Sequence, residues 1–311
     1  MKGGGGEMES TAGPGIQGTP DREIREETSD ITPDGRHAPM LDTERSIIKK
    51  FRRQLWTRFI RAIQTYDLIQ DGDRIAVCIS GGKDSTLMAK LFQELYRHGK
   101  RNFEPVYLVM DPGYNEANAA RIRENADLLH IPIQVFHSQI FRIVEGEGDS
   151  PCYLCARMRR GALYSHARDL GCNKIALGHH YDDVIETILM GMLYGGQIQT
   201  MMPKLHSTNF EGMELIRPMY LIREEDIKKW RDYHHLSFLA CACRFTEKLS
   251  PEALSETTGS SRADVKRLIR ELHDKNEFVE ANIFKSVENV HLDTLIAYKQ
   301  KGVKHSFLDD Y

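Results

Sequence analysis

The chain has 311 residues, with 42 Lys and Arg against 45 Asp and Glu, a formal charge of −3, and 41% hydrophobic residues. That length suits one large α/β domain with appendages. No apolar run approaches the ~18 residues of a membrane span, and a chain this close to neutral does not advertise a nucleic-acid partner by its overall charge.

Residues 1–40 are rich in Gly, Pro, Thr and Glu and nearly lack aromatics. Such a segment buries too little to offset its ordering entropy, so a disordered tail is expected. It shows no apolar secretory core, which places the protein in the cytoplasm. The first 45 residues carry −5 of the total −3, leaving +2 for the rest.

Residues 41–72 read as a basic amphipathic helix. Ile47, Ile48, Phe51, Leu55, Phe59, Ile60 and Ile63 recur at helical spacing from about Asp42 to Leu68. Lys49, Lys50, Arg52, Arg53, Arg58 and Arg61 fill the other face. A basic face is usually just solvated, but Lys49, Arg52, Arg53 and Arg58 are candidates for RNA phosphates. Arg74–Ile79 then reads as a buried strand, Ser85–Arg97 as a helix, Pro105–Met110 as a strand, Asn115–Leu129 as a helix and Ile131–Phe136 as a strand. Arg157–Leu170 is a helix, Lys174–Leu177 a strand and Asp183–Leu193 a helix. This alternation predicts an α/β, Rossmann-like parallel sheet with helices on both faces, over 73–220. Segments 223–236, 262–275 and 290–300 look helical, giving a small helical C-terminal part over 221–311.

The run SGGKDS, Ser80–Ser85, sits between a strand and a helix. Paired Gly81 and Gly82 let the backbone approach an anion, and the amides of the following helix start hold it. Ser80 and Ser85 add hydroxyls, and Lys83 adds a positive charge. The run is not a Walker loop, because the spacing differs and Asp84 stands where that loop needs Ser or Thr. A second run, GHHYDDVIET, extends from Gly178 to Thr187 after the fourth strand, where ligands bind in open α/β sheets. Asp182 and Asp183 are candidates for Mg²⁺ beside phosphates, although Asp also favours helix caps. Gly178 and His179 are candidates for the nucleotide; His180 could touch it too, and a supporting hydrogen bond explains at least one of the two histidines equally well.

Six cysteines occur, too few to staple a chain of this length. Cys152 and Cys155 form CxxC in an expected loop, and Cys241 and Cys243 follow as CxC. Four thiolates suit a closed zinc site, two a redox pair, and three an iron–sulfur cluster with one open iron. Cys78 in a strand and Cys172 at a helix end read as packing residues.

SGGKDS and GHHYDDVIET resemble the signatures of the PP-loop ATP pyrophosphatases, with their adenine nucleotide α-hydrolase-like fold. DGDRIAVCISGGKDS, CYLCARMRRGALYSHARDLGCNKIALGHHYDDVIETILMGMLYGG and IFKSVENVHL together are similar to the tRNA 2-thiocytidine synthetases (the TtcA group) over roughly residues 45–300. The resemblance implies cleavage of ATP to AMP and pyrophosphate, with adenylation of a cytidine C2 oxygen at position 32 of a tRNA. It implies a [4Fe–4S] cluster on Cys152, Cys155 and a later cysteine. Counting from Phe238, Cys243 fits better than Cys241. It also implies Mg²⁺, a sulfur donor such as a cysteine desulfurase or free sulfide, and a homodimer. Lys83 and Asp183 become catalytic candidates. Arg159 stands where thiouridine-forming relatives carry a catalytic Lys, and arginine binds phosphate or an oxyanion rather than acting as base. Two rivals are a different PP-loop adenylating enzyme and a non-catalytic iron–sulfur protein that binds ATP.

Overall fold

The computed structural model describes residues 42–99, 101–144, 151–239, 261–309 and 311, without the side chains of 144 and 151–153. The expected tail, Cys241 and Cys243 therefore lie outside the described residues.

Five parallel strands and one antiparallel edge strand form the central sheet, in the order β3-β2-β1-β4-β6-β5. They are β1 (Arg74–Ile79), β2 (Glu104–Asp111), β3 (Ile133–His137), β4 (Lys174–Ala176), β5 (Lys204–His206) and β6 (Glu214–Ile216). β1 is buried on both faces, as an interior parallel strand must be. Ile75, Val77 and Ile79 enter one core with Leu87, Leu91 and Trp230. Ala76 and Cys78 enter another with Tyr164, Ala167 and Cys172. Both cysteines are thus packing residues, and burial raises the thiol of Cys78 to about 12 and that of Cys172 to about 11.

The helices are α1 (Asp42–Ile48), α2 (Thr57–Thr65), α3 (Lys83–His98), α4 (Glu116–Leu128), α5 (Ile140–Val144), α6 (Pro151–Asp169), α7 (Tyr181–Gly195), α8 (Glu224–Tyr233), α9 (Ser261–His273) and α10 (Val279–Ser286). No helix among the described residues is long and apolar enough to cross a membrane. The chain runs from β1 outward through β2 to β3, then returns to lay β4 on the other side of β1. The crevice where the order reverses is the ligand site of such sheets.

Three expectations are corrected. The N-terminal helix is not continuous: a π-helical turn, Arg52–Trp56, separates α1 from α2. Ile47, Phe51, Leu55, Phe59 and Ile63 are all buried at intervals of four. That interval drifts around a helix of 3.6 residues per turn, and a wider turn restores the facing. Second, α6 begins at Pro151, so Cys152 and Cys155 sit in its first turns and not in a loop. Proline at a first helical position fits, since its missing N–H would be unbonded there anyway. Third, 290–300 is a 3₁₀ turn, Leu292–Thr294, followed by a hairpin of β7 (Ala297–Gln300) and β8 (Val303–Ser306). Lys301 and Gly302 have φ of 49° and 83°, the left-handed pair that closes a two-residue hairpin.

Candidate active site

The phosphate loop leaves β1 and enters α3. Gly81 has φ +84°, and a Cβ there would stand 2.7 Å from Ile122 Cγ1 and 3.1 Å from Leu239 Cδ1. Only glycine fits both the backbone and the space. The turn is pinned from inside, because Ser80 N–H donates to Ser85 Oγ at 3.1 Å and Ser85 Oγ donates to Gly82 O at 3.1 Å. Gly82 caps the 16-residue α3 with no side-chain hydrogen bond. The first amides of α3 are therefore left to an anion, which the helix dipole also favours. Gly178 closes the floor: a Cβ on it would lie 3.1 Å from Ser85 Cα and N.

The charges around the loop form one network. Lys83 Nζ is 3.0 Å from Asp84 Oδ2 and 3.0 Å from Glu224 Oε1. Burial works against the Lys83 charge, but these two carboxylates outweigh it and raise its pKa. Burial likewise opposes the Glu224 charge, yet hydrogen bonds from Lys228 and Lys83 lower its pKa to about 2. Asp84 Oδ1 is buried without a hydrogen-bond partner among the described residues. Asp182 is otherwise engaged, its Oδ2 accepting the Glu224 N–H at 2.7 Å and its Oδ1 the Arg223 Nε–H at 3.2 Å. Asp183 Oδ2 caps α7 by accepting the His180 N–H at 3.0 Å, while its Oδ1 lies 3.5 Å from Arg262. His179 is held neutral, its pKa lowered to about 4 by burial and then by the charge of Arg217.

A family model described as PP-loop domain matches residues 39–244. Among curated proteins, the chain is 33% identical over 277 residues to a tRNA-cytidine(32) 2-sulfurtransferase of Pelobacter propionicus, covering 88% of this chain and 99% of the relative. The chain belongs to the tRNA-cytidine(32) 2-sulfurtransferase family of PP-loop proteins. A Vibrio cholerae protein of the same description is 37% identical over 67% of this chain and 68% of its own. Among solved structures, the U34-tRNA thiolase NcsA from Methanococcus maripaludis with its [4Fe–4S] cluster shares the fold, at TM-score 0.57 and 20% identity, over 75% of this chain and 77% of that one.

In this member of the family, the loop after β2 brings in residues that sequence reasoning missed. Asp111 Oδ1 accepts the N–H groups of Gly113 and Tyr114 at 2.8 and 2.7 Å. Arg159, from α6, donates to the Tyr114 hydroxyl beside Cys155. Burial, more than Arg159 offsets, raises the Tyr114 pKa. Cys152 and Cys155 are three residues apart in the first turns of α6. Leu239, the last described residue before Cys241, donates its N–H to Gly81 O at 3.2 Å. Leu239 is thus tied to the phosphate loop at the C-terminal edge of the sheet.

The structure brings Ser80–Ser85, Gly178–Asp183 and Glu224 together, with Arg159 and Cys155 at the adjoining loop. Lys49, Arg52 and Arg53 stand apart on the exposed N-terminal face, and Arg58 is bound to Asp226 at 2.9 Å. Glu224 left one signal in the sequence: three acids, Glu224, Glu225 and Asp226, open α8.

Proposed function

We propose that this protein is an ATP-dependent tRNA sulfurtransferase that converts cytidine 32 of the anticodon loop to 2-thiocytidine. The observation carrying this reading is the uncapped start of α3 behind Gly81 and Gly82, with Lys83 beside it. Such a cradle suits the β,γ-phosphates of ATP. The cytidine C2 oxygen attacks the α-phosphorus, the bond to the β-phosphate bridging oxygen breaks, and pyrophosphate leaves. The α3 amides and Lys83 take up the charge that develops on it. A sulfur nucleophile then adds to C2, the C2–O bond breaks, and AMP departs. Arg159 suits the developing oxyanion.

Mg²⁺ would rest on Asp183 and on Asp84, whose Oδ1 has no hydrogen-bond partner among the described residues and lies 3.9 Å from His180 Nε2; Asp182 sets the start of α8 instead. Cys152, Cys155 and Cys243, with Cys241 as the alternative third thiolate, would hold a [4Fe–4S] cluster. When bound, that cluster supplies the sulfur. A cysteine desulfurase or free sulfide would replenish it. Action as a homodimer in the cytoplasm completes the reading.

The deciding experiment is mass spectrometry of tRNA nucleosides from cells with and without the gene. 2-Thiocytidine should vanish on deletion and return with the wild-type gene but not with Lys83→Ala. Unchanged 2-thiocytidine on deletion would overturn the assignment. Anaerobically purified protein should carry about four irons per chain, lost in Cys152→Ala and Cys155→Ala; stoichiometric zinc instead would refute the cluster.

A further inference from the structure

Among the described residues the C-terminal hairpin pairs only with itself, β7 against β8. Its register sets Tyr298 opposite His305, Lys299 opposite Lys304 and Gln300 opposite Val303. Strand alternation sorts these onto two faces. Tyr298 and His305 stack on one, with ring centroids 4.8 Å apart and planes at 15°. Lys299 and Lys304 share the other, and Lys301 occupies the turn. All three lysines are exposed. None has an ion-pair partner among the described residues. The neighbouring Asp309 is committed to the Ser306 N–H at 2.7 Å.

Like charges placed directly opposite across a ribbon destabilise it, and a two-stranded hairpin is marginal on its own. Here a cross-strand lysine pair is joined by a third lysine at a tip that only a left-handed turn presents. That arrangement costs stability in the free protein and is relieved by a polyanion lying across the ribbon. We propose that β7–β8 is an RNA-docking ribbon, with Lys299, Lys301 and Lys304 gripping consecutive phosphates of the tRNA substrate. The inference rests on the tRNA reading above but concerns a different surface from the catalytic crevice.

The aromatic pair on the opposite face stiffens the ribbon, so the lysines meet the backbone as a fixed row. Recognition is then of phosphate spacing and not of base sequence. Exposed Ile296, Phe307 and Leu308 lie beside the ribbon, and a second copy of the chain is the other candidate occupant. A two-fold contact centred on the ribbon would set the same lysines against each other, so the charge favours RNA.

The test uses the full chain and unmodified tRNA, with affinity measured by fluorescence anisotropy across a salt series. Lys299→Glu, Lys301→Glu and Lys304→Glu are combined, with the three Gln changes as a milder variant. The Glu variant should bind tRNA about tenfold more weakly at ~0.1 M salt and lower the salt slope by roughly 2. The Gln variant should fall between it and wild type. ATP binding should hold and the melting temperature should not fall, since these side chains are exposed; in the Gln variant, loss of the lysine repulsion should raise it slightly. Unchanged affinity and slope in both variants, with wild type binding normally, would overturn the ribbon while leaving the sulfurtransferase reading intact. Loss of a dimer with tRNA affinity preserved would overturn it in favour of self-association. Failure of wild type itself to bind tRNA would instead remove the functional reading on which the ribbon depends.

Discussion

Lys83 Nζ stands 3.0 Å from Glu224 Oε1, a contact that joins the phosphate loop to the first residue of α8. The same ammonium reaches Asp84 Oδ2 at 3.0 Å. An ammonium has three donors, so two are tethered and one remains for a phosphate. Glu224 is placed in turn by Asp182, which accepts its N–H at 2.7 Å. The first acid of the GHHYDD run thus acts through α8, at one remove from the nucleotide.

This chain of contacts predicts that Glu224→Ala lowers kcat by about tenfold or more while KM for ATP moves little, because the freed ammonium no longer meets charge developing on the leaving group. Glu224→Gln keeps an acceptor and should retain most of the rate. Asp182→Asn should lower kcat in the same way, and combining it with Glu224→Ala should add little further loss. Steady-state AMP formation with tRNA checks this. A full kcat in Glu224→Ala would refute the tether.

The sheet and the loop were legible because a buried parallel strand, a Gly pair and a helix each leave local signals. Ser80–Ser85 and Gly178–Asp183 converge as their positions after β1 and β4 imply. The contact of Glu224 with Lys83 was not legible from the acidic start of α8 alone, because it depends on α8 folding back from some 140 residues further along the chain. The start of α6 was not legible because the CxxC run is expected in a loop, although Pro151 suits a first helical position. The C-terminal hairpin was misread despite a usable signal: Lys301–Gly302 between alternating strands is a two-residue turn. The π-helical turn at Arg52–Trp56 answers a packing seam that single-residue spacing does not reveal.

Gly178 makes a second prediction. A Cβ there would press at 3.1 Å on the Ser85 backbone, and backbone on both sides leaves no flexible atom to yield. Gly178→Ala should cost about 1–3 kcal/mol of stability. It should also depress AMP formation, by shifting the start of α3 away from the loop after β4. Chemical denaturation beside an activity assay reads both. Wild-type values for the two together would show that this contact is slack.

His179 gives a prediction in pH. Its pKa falls from 6.5 to about 4, through burial first and the Arg217 charge second. Below pH ~6.5 the unfolded chain takes up a proton that the folded imidazole refuses until about 4. The stabilising contribution is therefore complete above pH ~6.5 and is lost as pH falls toward 4. Between pH ~7 and pH ~5 it should amount to about 1–2 kcal/mol. His179→Gln should flatten that part of the urea-unfolding profile, whatever its stability at neutral pH. An identical slope in variant and wild type would mean that the imidazole is protonated in the fold.

The N-terminal basic residues separate into two classes, which gives the last prediction. Arg58 lies 2.9 Å from Asp226, whose side chain is 13% exposed, and so ties α2 to α8. Lys49, Arg52 and Arg53 are exposed and form no ion pair with a described residue. Arg58→Glu sets a carboxylate against the half-buried Asp226 and should destabilise the fold by about 1–3 kcal/mol. Any loss of tRNA binding in that variant would then be secondary. Lys49→Glu, Arg52→Glu and Arg53→Glu together should leave the melting temperature in place. If this face meets phosphates, the combination should weaken tRNA binding and lower its salt slope by roughly 2. A combination that leaves the salt slope untouched would return this face to a merely solvated role, and one that unfolds the protein would show that these side chains hold the fold instead of meeting RNA. An Arg58→Glu variant of wild-type stability would show that the contact with Asp226 contributes nothing to holding α8, and hence Glu224, over the loop.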